Sequence, residues 1–386
     1  MQLYTLLASA IVNGLLAASA IVPVTSKDVG FIELDFDKVN ATELADDHPL
    51  RKRDVYTDSL INKETYYITW IEIGSDKQKL GVDVDTGSAD LWVPFVGAVG
   101  TNGIYEFGSY DPSTSSTSQR LQDPFQISYL DGTKISGHFY QDTLKLSESS
   151  ATITSFQFAV ADQLTMGYGV FGIGNNLHLW ASVKYPNFID VLKDQGLIRQ
   201  RAYSIYLDLP KAEKGKVIFG GIDLAKIDGP LVDLPIIDEK LLGVNMDSVT
   251  VNGETITVNQ KAMFDSGTTL VAFTPEVAKF VMLHYDNAQY HPEANVWTVD
   301  SDKNKDQIIE LNFNGVTVPF TLTRAYFPNF LKNGIDYGKV FRVRQFEFNL
   351  LGDIFLSNAY CVFNYDTNIV SLGLARHTTE SNIVAI

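Results

Sequence analysis

Two four-residue segments of this 386-residue chain share one pattern: an aspartate, a hydroxyl residue, a glycine and a second hydroxyl residue. They are Asp85-Thr86-Gly87-Ser88 and Asp265-Ser266-Gly267-Thr268, each preceded by an apolar residue and 180 positions apart. A second pair, Val170-Phe171-Gly172 and Leu350-Leu351-Gly352, repeats at the same spacing. One offset shared by two motifs implies a duplicated lobe. Two copies related by a pseudo-twofold axis bring equivalent loops face to face, and each of these loops carries one aspartate. Carboxylates held that close cannot both ionise cheaply, so they share a proton, and one is a base at the pH where the other is an acid. A water between them can be deprotonated as it attacks a peptide carbonyl, while the protonated partner donates to the carbonyl oxygen. Such a step needs neither a metal nor a cofactor.

The elements that must position these loops read as β structure. Hydrophobic residues make up 45% of the chain and charged residues 20%, which is globular composition and excludes a disordered or collagen-like chain. β-Branched and aromatic runs such as Tyr66-Tyr67-Ile68-Thr69-Trp70-Ile71, Val217-Ile218-Phe219 and Tyr360-Cys361-Val362-Phe363 alternate with the turn signals Asp131-Gly132, Asn252-Gly253 and Asn314-Gly315. Helical periodicity is confined to Phe188–Leu197 and to Pro275–His284, the latter opening with Thr274-Pro275 as a cap followed by proline. The expected fold is mainly β and bilobal, with an N-terminal lobe over 54–225, a C-terminal lobe over 226–386 and a cleft between them. Because one chain supplies both aspartates, a monomer is expected.

A net charge of −16 and a pI near 4.7 exclude nucleic acid as a partner, since a like-charged surface repels phosphate. The single cysteine, Cys361, excludes a disulfide framework and a Cys-rich zinc site, and reads as a small buried hydrophobe. Residues 1–20 are apolar and end in Ala18-Ser19-Ala20, as a secretory signal peptide does. Residues 21–53 read as a propeptide ending at Lys52-Arg53, a site for a kexin-type processing protease. The one N-glycosylation sequon, Asn40-Ala41-Thr42, falls in that segment. The apolar tail Ile383-Val384-Ala385-Ile386 is too short for a lipid-anchor signal, so a freely secreted, extracellular protein without a membrane anchor is expected.

The ordered set of motifs resembles the pepsin-like aspartic proteases, and within them the secreted enzymes of yeasts and moulds. Val84-Asp85-Thr86-Gly87-Ser88-Ala89-Asp90-Leu91-Trp92-Val93-Pro94 is similar to the first catalytic loop, and Phe264-Asp265-Ser266-Gly267-Thr268-Thr269 to the second. Tyr129 matches the flap tyrosine, and Leu351-Gly352-Asp353-Ile354-Phe355 a late strand segment. The resemblance implies an endopeptidase acting on protein and peptide substrates through Asp85 and Asp265, with the shared proton that aspartic proteases generally use. It implies that Thr86 and Ser266 bond across the lobes, that Ser88 and Thr268 donate to the carboxylates, and that Trp92 partners Tyr129. It places Asp83, Gly87, Tyr129, Leu130, Asp131, Gly132, Val170, Gly267, Thr268 and Thr269 along the substrate. Leu130 stands where the family more often has glycine, and the disulfides of many relatives are missing. Asp83, two residues before Asp85, shares its face on an extended strand, and the resemblance implies that Asp83 and Asp131 on the flap flank the pocket for the residue before the scissile bond, so Lys or Arg is expected there as well as bulky apolar residues.

Two other patterns weigh less. Gly167-Tyr168-Gly169-Val170-Phe171-Gly172 fits a dinucleotide fingerprint, but no alternating strand and helix pattern surrounds it. Asp300, Asp302, Asn304 and Asp306 alternate like calcium ligands, yet Lys305 and Leu311 stand where such a loop needs glycine and glutamate. No H-E-x-x-H or G-x-S-x-G occurs. The competing readings are a catalytically silent peptide-binding protein on the same fold and a two-carboxylate glycosidase.

Overall fold

The computed structural model describes residues 30–40, 65–99, 105, 107–129, 132–146, 152–164, 166–179, 181, 184–207, 214–292, 295–304, 306–327, 331–332, 335–336 and 340–386. The expected signal peptide and the Lys52-Arg53 site lie outside these residues.

The β-branched and aromatic runs form strands: β1 Ile32–Asn40, β2 Thr65–Ile73, β3 Gln78–Asp85, β4 Leu91–Val99, β5 Gln119–Ser128, β6 Lys134–Leu146, β7 Thr152–Gln163, β8 Gly169–Gly172, β9 Ala202–Leu207 and β10 Lys214–Phe219. Among the described residues these join Ile227–Pro235, Ala359–Asn364 and Ile369–Ala375 in a 13-stranded sheet, while the second half contributes a ten-stranded sheet around Val244–Val251 and Glu254–Phe264. β6 shows why such a strand forms, since Ile135, Gly137, Phe139 and then Leu144 and Leu146 are buried between residues that face outward. Asn252-Gly253 and Asn314-Gly315 both turn with positive φ, at 54° and 79° and at 48° and 89°, as tight hairpins require. The two expected helices are present but shorter: Phe188–Asp194 starts from a capping box between Asn187 and Asp190 and stops before Gly196 at φ 69°, and Pro275–Met282 starts from the Thr274 cap.

The duplication appears in strand register. β3 runs parallel to β8 with Val84 opposite Phe171, and Glu254–Phe264 runs parallel to Asn349–Leu351 with Phe264 opposite Leu351. β4 closes the first unit with Leu91 opposite Phe171, and Val271–Phe273 closes the second with Val271 opposite Leu351. Every member of the second set stands 180 positions after its counterpart. Each aspartate therefore sits at the carboxyl end of an outer strand of an equivalent three-strand unit, whose middle strand is β8 in the first half and Asn349–Leu351 in the second. The glycines that mimic a dinucleotide fingerprint belong to this packing. A Cβ on Gly172 would lie 2.7 Å from the nitrogen of Ala89, and one on Gly169 would lie 2.5 Å from the carbonyl of Trp92.

One large apolar core runs through both halves, from Leu34 to Leu372, and a smaller one containing Trp92, Phe125, Ile127, Phe139 and Val170 fills the space under the β5–β6 hairpin. Cys361 is fully buried and burial pushes its thiol up, which suits a hydrophobe and not a reactive group. The C-terminal strand Ile383–Ala385 pairs with Gly221–Asp223, and Asp223 accepts from Ser381 and Asn382.

β1 lies inside the segment expected to be removed on maturation, yet it is the strand between β10 and β2. Ile32, Leu34 and Phe36 are buried on its inner face, while Glu33 and Asp35 on the outer face reach Lys216. Three such side chains contribute roughly 1.5–3 kcal/mol each, and losing β1 also bares the edges of both neighbours. A chain made without residues 1–53 should therefore refold in lower yield and unfold at a lower temperature than the full chain, as followed by near-UV circular dichroism. Equal yields would mean that the rest of the chain closes the gap unaided.

Candidate active site

β3 delivers Asp85 and the Glu254–Phe264 strand delivers Asp265 to a common centre, and both carboxylates are 6% exposed. Their hydrogen bonds match. Ser88 Oγ donates to Asp85 Oδ2 at 2.6 Å and the Gly87 N–H to Oδ1 at 2.7 Å. Thr268 Oγ1 donates to Asp265 Oδ2 at 2.6 Å and the Gly267 N–H to Oδ1 at 2.9 Å. The outer oxygen of each acid thus takes a hydroxyl and the inner oxygen a backbone amide.

The threonine and serine beside the aspartates cross between the lobes. The Thr86 N–H donates to Ser266 Oγ at 3.1 Å, and the Ser266 N–H donates to Thr86 Oγ1 at 2.9 Å. Each hydroxyl then donates onward, Thr86 to the carbonyl of Phe264 at 2.9 Å and Ser266 to that of Val84 at 2.8 Å. Both side chains are buried, so the bonds do not compete with water. The glycines explain the absence of larger residues in the loops. A Cβ on Gly87 would lie 2.6 Å from Asp265 Oδ1, and one on Gly267 would lie 2.7 Å from the Asp85 carboxyl carbon. Each loop backbone thus abuts the opposite acid, a closeness only glycine permits.

Over the centre, β5 and β6 form a hairpin whose tip begins at Tyr129. The Tyr129 N–H donates to Thr133 at 2.9 Å and the Gly132 N–H to Tyr129 at 3.0 Å, with Gly132 at φ 87°. Trp92 Nε1 donates to the Tyr129 hydroxyl at 2.6 Å. Burial, and then the charge of Asp85, push the Tyr129 phenol well above its ordinary value, so it stays protonated in acid. Leu130 and Asp131 lie outside the described residues. Asp83 is 1% exposed, opposite Ile68 and Val170 in the sheet, and accepts from the Tyr67 N–H at 3.2 Å. Val170, opposite Asp83 in the sheet, and Thr269, close to Asp265 in the chain, are both buried.

Asp90, to which the motifs give no role, is fully buried and accepts from the Tyr185 hydroxyl at 2.7 Å. Its signal was present: a charged residue inside the apolar run Ala89-Asp90-Leu91-Trp92 must be bonded.

With this geometry in place, comparison with known proteins decides the family. The sequence model of the eukaryotic aspartyl protease family matches residues 66–375. This chain belongs to that family. It is 38% identical over 350 residues to secreted aspartic protease 4 of Candida albicans, covering 87% of this chain and 82% of the relative. Secreted aspartic protease 6 is 35% identical over 366 residues, covering 92% and 87%. Candidapepsin-3 is 34% identical over 398 residues, covering 96% of each. The fold is accordingly the bilobal pepsin-like one, and the chain is an aspartic-type endopeptidase whose relatives include proteases named as secreted. No helix among the described residues is long and apolar enough to cross a membrane.

In an aspartyl protease so constructed, Gly267→Ala must displace the Asp85 carboxylate or the loop itself. It should lower kcat at least a hundredfold while the far-UV spectrum and unfolding temperature stay near wild type. Wild-type turnover in a folded Gly267→Ala protein would mean that the loops do not meet as closely as this.

Proposed function

We propose that Asp85 and Asp265 activate a single water between them for attack on a peptide bond. The observation that carries this reading is the matched donor set on two acids whose loops abut. As the water oxygen bonds to the carbonyl carbon, its proton passes to the ionised aspartate and the carbonyl oxygen takes the proton of the other. The tetrahedral diol then collapses: one diol O–H returns its proton to the aspartate that gave one, the C–N bond breaks, and the amine leaves with the proton held by the aspartate that received it, which restores the starting pair. Tyr129 and Trp92 close the flap over this step and exclude bulk water. Activity peaks in acid, where the pair holds its one proton. A single chain suffices because it carries both acids. Maturation proceeds by removal of residues 1–20 and then by a kexin-type cut after Arg53.

Specificity follows from the two extra acids. Asp83 sits in the apolar cluster under the flap, and Asp131 stands in the flap sequence. A cation is the favourable counter-charge for a carboxylate in such surroundings. The pocket before the scissile bond therefore takes Lys and Arg as well as bulky apolar residues.

Asp85→Asn and Asp265→Asn should each reduce hydrolysis of denatured protein at mildly acidic pH by a factor on the order of 10³ or more, and pepstatin should abolish the wild-type activity. Activity that survives either substitution sinks the paired-acid mechanism. For the pocket, peptides with Lys or Leu before the bond should show a Lys-to-Leu ratio that falls roughly tenfold in Asp131→Ser. An unchanged ratio removes Asp131 from specificity.

A further inference from the structure

The catalytic loop of the N-terminal lobe is held from behind by residues 172–174. Three successive amides donate to it: Gly172 to the carbonyl of Asp90 at 3.1 Å, Ile173 to that of Asp85 at 2.9 Å and Gly174 to that of Ser88 at 2.7 Å. A clamp of this kind is only as firm as the bonds on its far side. The carbonyl of Gly174 accepts from Asn187 Nδ2 at 2.8 Å, and the carbonyl of Ile173 accepts from the hydroxyl of Tyr365 at 2.9 Å. Asn187 belongs to the same lobe, whereas Tyr365 comes from the other end of the chain, 192 residues away.

Tyr365 is itself fixed on several sides. Its N–H donates to the carbonyl of Arg201 at 2.9 Å, and its ring meets the edge of Tyr203, which stacks on Phe363. The Tyr203 hydroxyl lies 3.3 Å from that of Tyr365. Because the single proton of Tyr365 is committed to Ile173, Tyr203 is the donor of that pair. The next residue, Asp366, is bound by Lys193 and by Arg201, each at 2.7 Å, and those cations hold its carboxyl down at about 2. The anchor therefore survives at the acid pH where the enzyme works. Burial pushes both phenols up, so neither ionises there.

We propose that Tyr365 is a positioning residue for Asp85, acting through Ile173 to hold the first catalytic loop against the second. The equivalent bond in the other half is different. Asp353, 180 positions after Ile173, donates its N–H to Thr268 and not to Asp265. Of the two acids, Asp85 is the one tied in this manner to a residue from the far end of the chain. The proposal rests on Asp85 and Asp265 being the reactive pair.

Tyr365→Phe removes the hydroxyl and keeps the ring. Freed of the tie, Asp85 relaxes away from its like-charged partner, so the coupling between the two titrations weakens and the bell-shaped pH profile narrows. We expect kcat to fall about tenfold with KM within about twofold. Tyr360→Phe is the matched control, because Tyr360 is also a buried tyrosine of this region whose hydroxyl bonds Ser204 and Asp223 away from the cleft. It should lower the unfolding temperature comparably and leave kcat and the pH profile as in wild type. A Tyr365→Phe enzyme with wild-type kcat and profile overturns the proposal, as does a loss of activity matched by Tyr360→Phe. A wild-type enzyme with no pepstatin-sensitive activity, or an active Asp85→Asn, would instead overturn the reading of the dyad and this proposal with it.

Discussion

Two carboxylates that repel one another must be kept together by loops from different halves of the chain, and here reciprocal hydrogen bonds join those loops directly. Two unit charges 4 Å apart at an effective dielectric of 20 repel by about 4 kcal/mol. The reciprocal bonds of Thr86 and Ser266 number four, each contributing about 1 kcal/mol net when buried. The two quantities are of the same size, so the loops hold the acids together only if part of the repulsion is removed. A shared proton removes it. The chemistry and the packing are thus one constraint: the state that can activate water is also the state the loops can tolerate.

Everything else in the fold serves that juxtaposition. The parallel pairing of β3 with β8 and its counterpart in the second half place each aspartate at a strand end with an adjacent loop free to cross the axis. Gly172 and Gly352 are required because the segments behind the loops press on them, Gly352 lying against the carbonyls of Thr268 and Leu270. A glycine pattern that reads as a cofactor motif in isolation is here a consequence of two β units packing on their own catalytic turns. With no disulfide available to brace either lobe, this backbone contact and the shared apolar core carry the rigidity.

The local features were legible in the sequence. Turn chemistry placed the Asn252-Gly253 and Asn314-Gly315 hairpins, capping residues placed both helices, and the repeated motifs disclosed the register of the two halves. The features that were not legible depend on contacts between distant residues. Nothing in Ile32–Asn40 distinguishes a strand that completes a sheet from an amphipathic strand at its edge, because of its two partners only β2 comes next in the chain and β10 lies far along the sequence. Asp83 was expected to lean toward the cleft with Asp85, and alternation does put both on one face. Its carboxylate is nonetheless buried against the Tyr67 amide, a bond that strand periodicity cannot foresee. Tyr365 carried no signal at all, since a tyrosine after a strand is ordinarily a packing residue.

The near-identity of the two acids' immediate bonds raises the question of how one comes to act as base and the other as acid. Ser88 and Thr268 donate at the same distance, and the two glycine amides differ by 0.2 Å, too little to separate the roles. A difference must then enter from outside the loops. Three successive amides brace each loop, but behind the first loop the Ile173 amide bonds Asp85 itself and its segment is fastened by Asn187 and Tyr365, while the carbonyl of Asp265 takes its amide from Thr268 in its own loop. Asp85 also has the flap beside it, for its charge reaches Tyr129, which bonds Trp92. The braced acid is the one whose position is set before substrate arrives. Its partner is held through the first loop by Thr86 and Ser266. Symmetry of the fold brings the two groups together, and departures from that symmetry behind the loops are what can make them unlike.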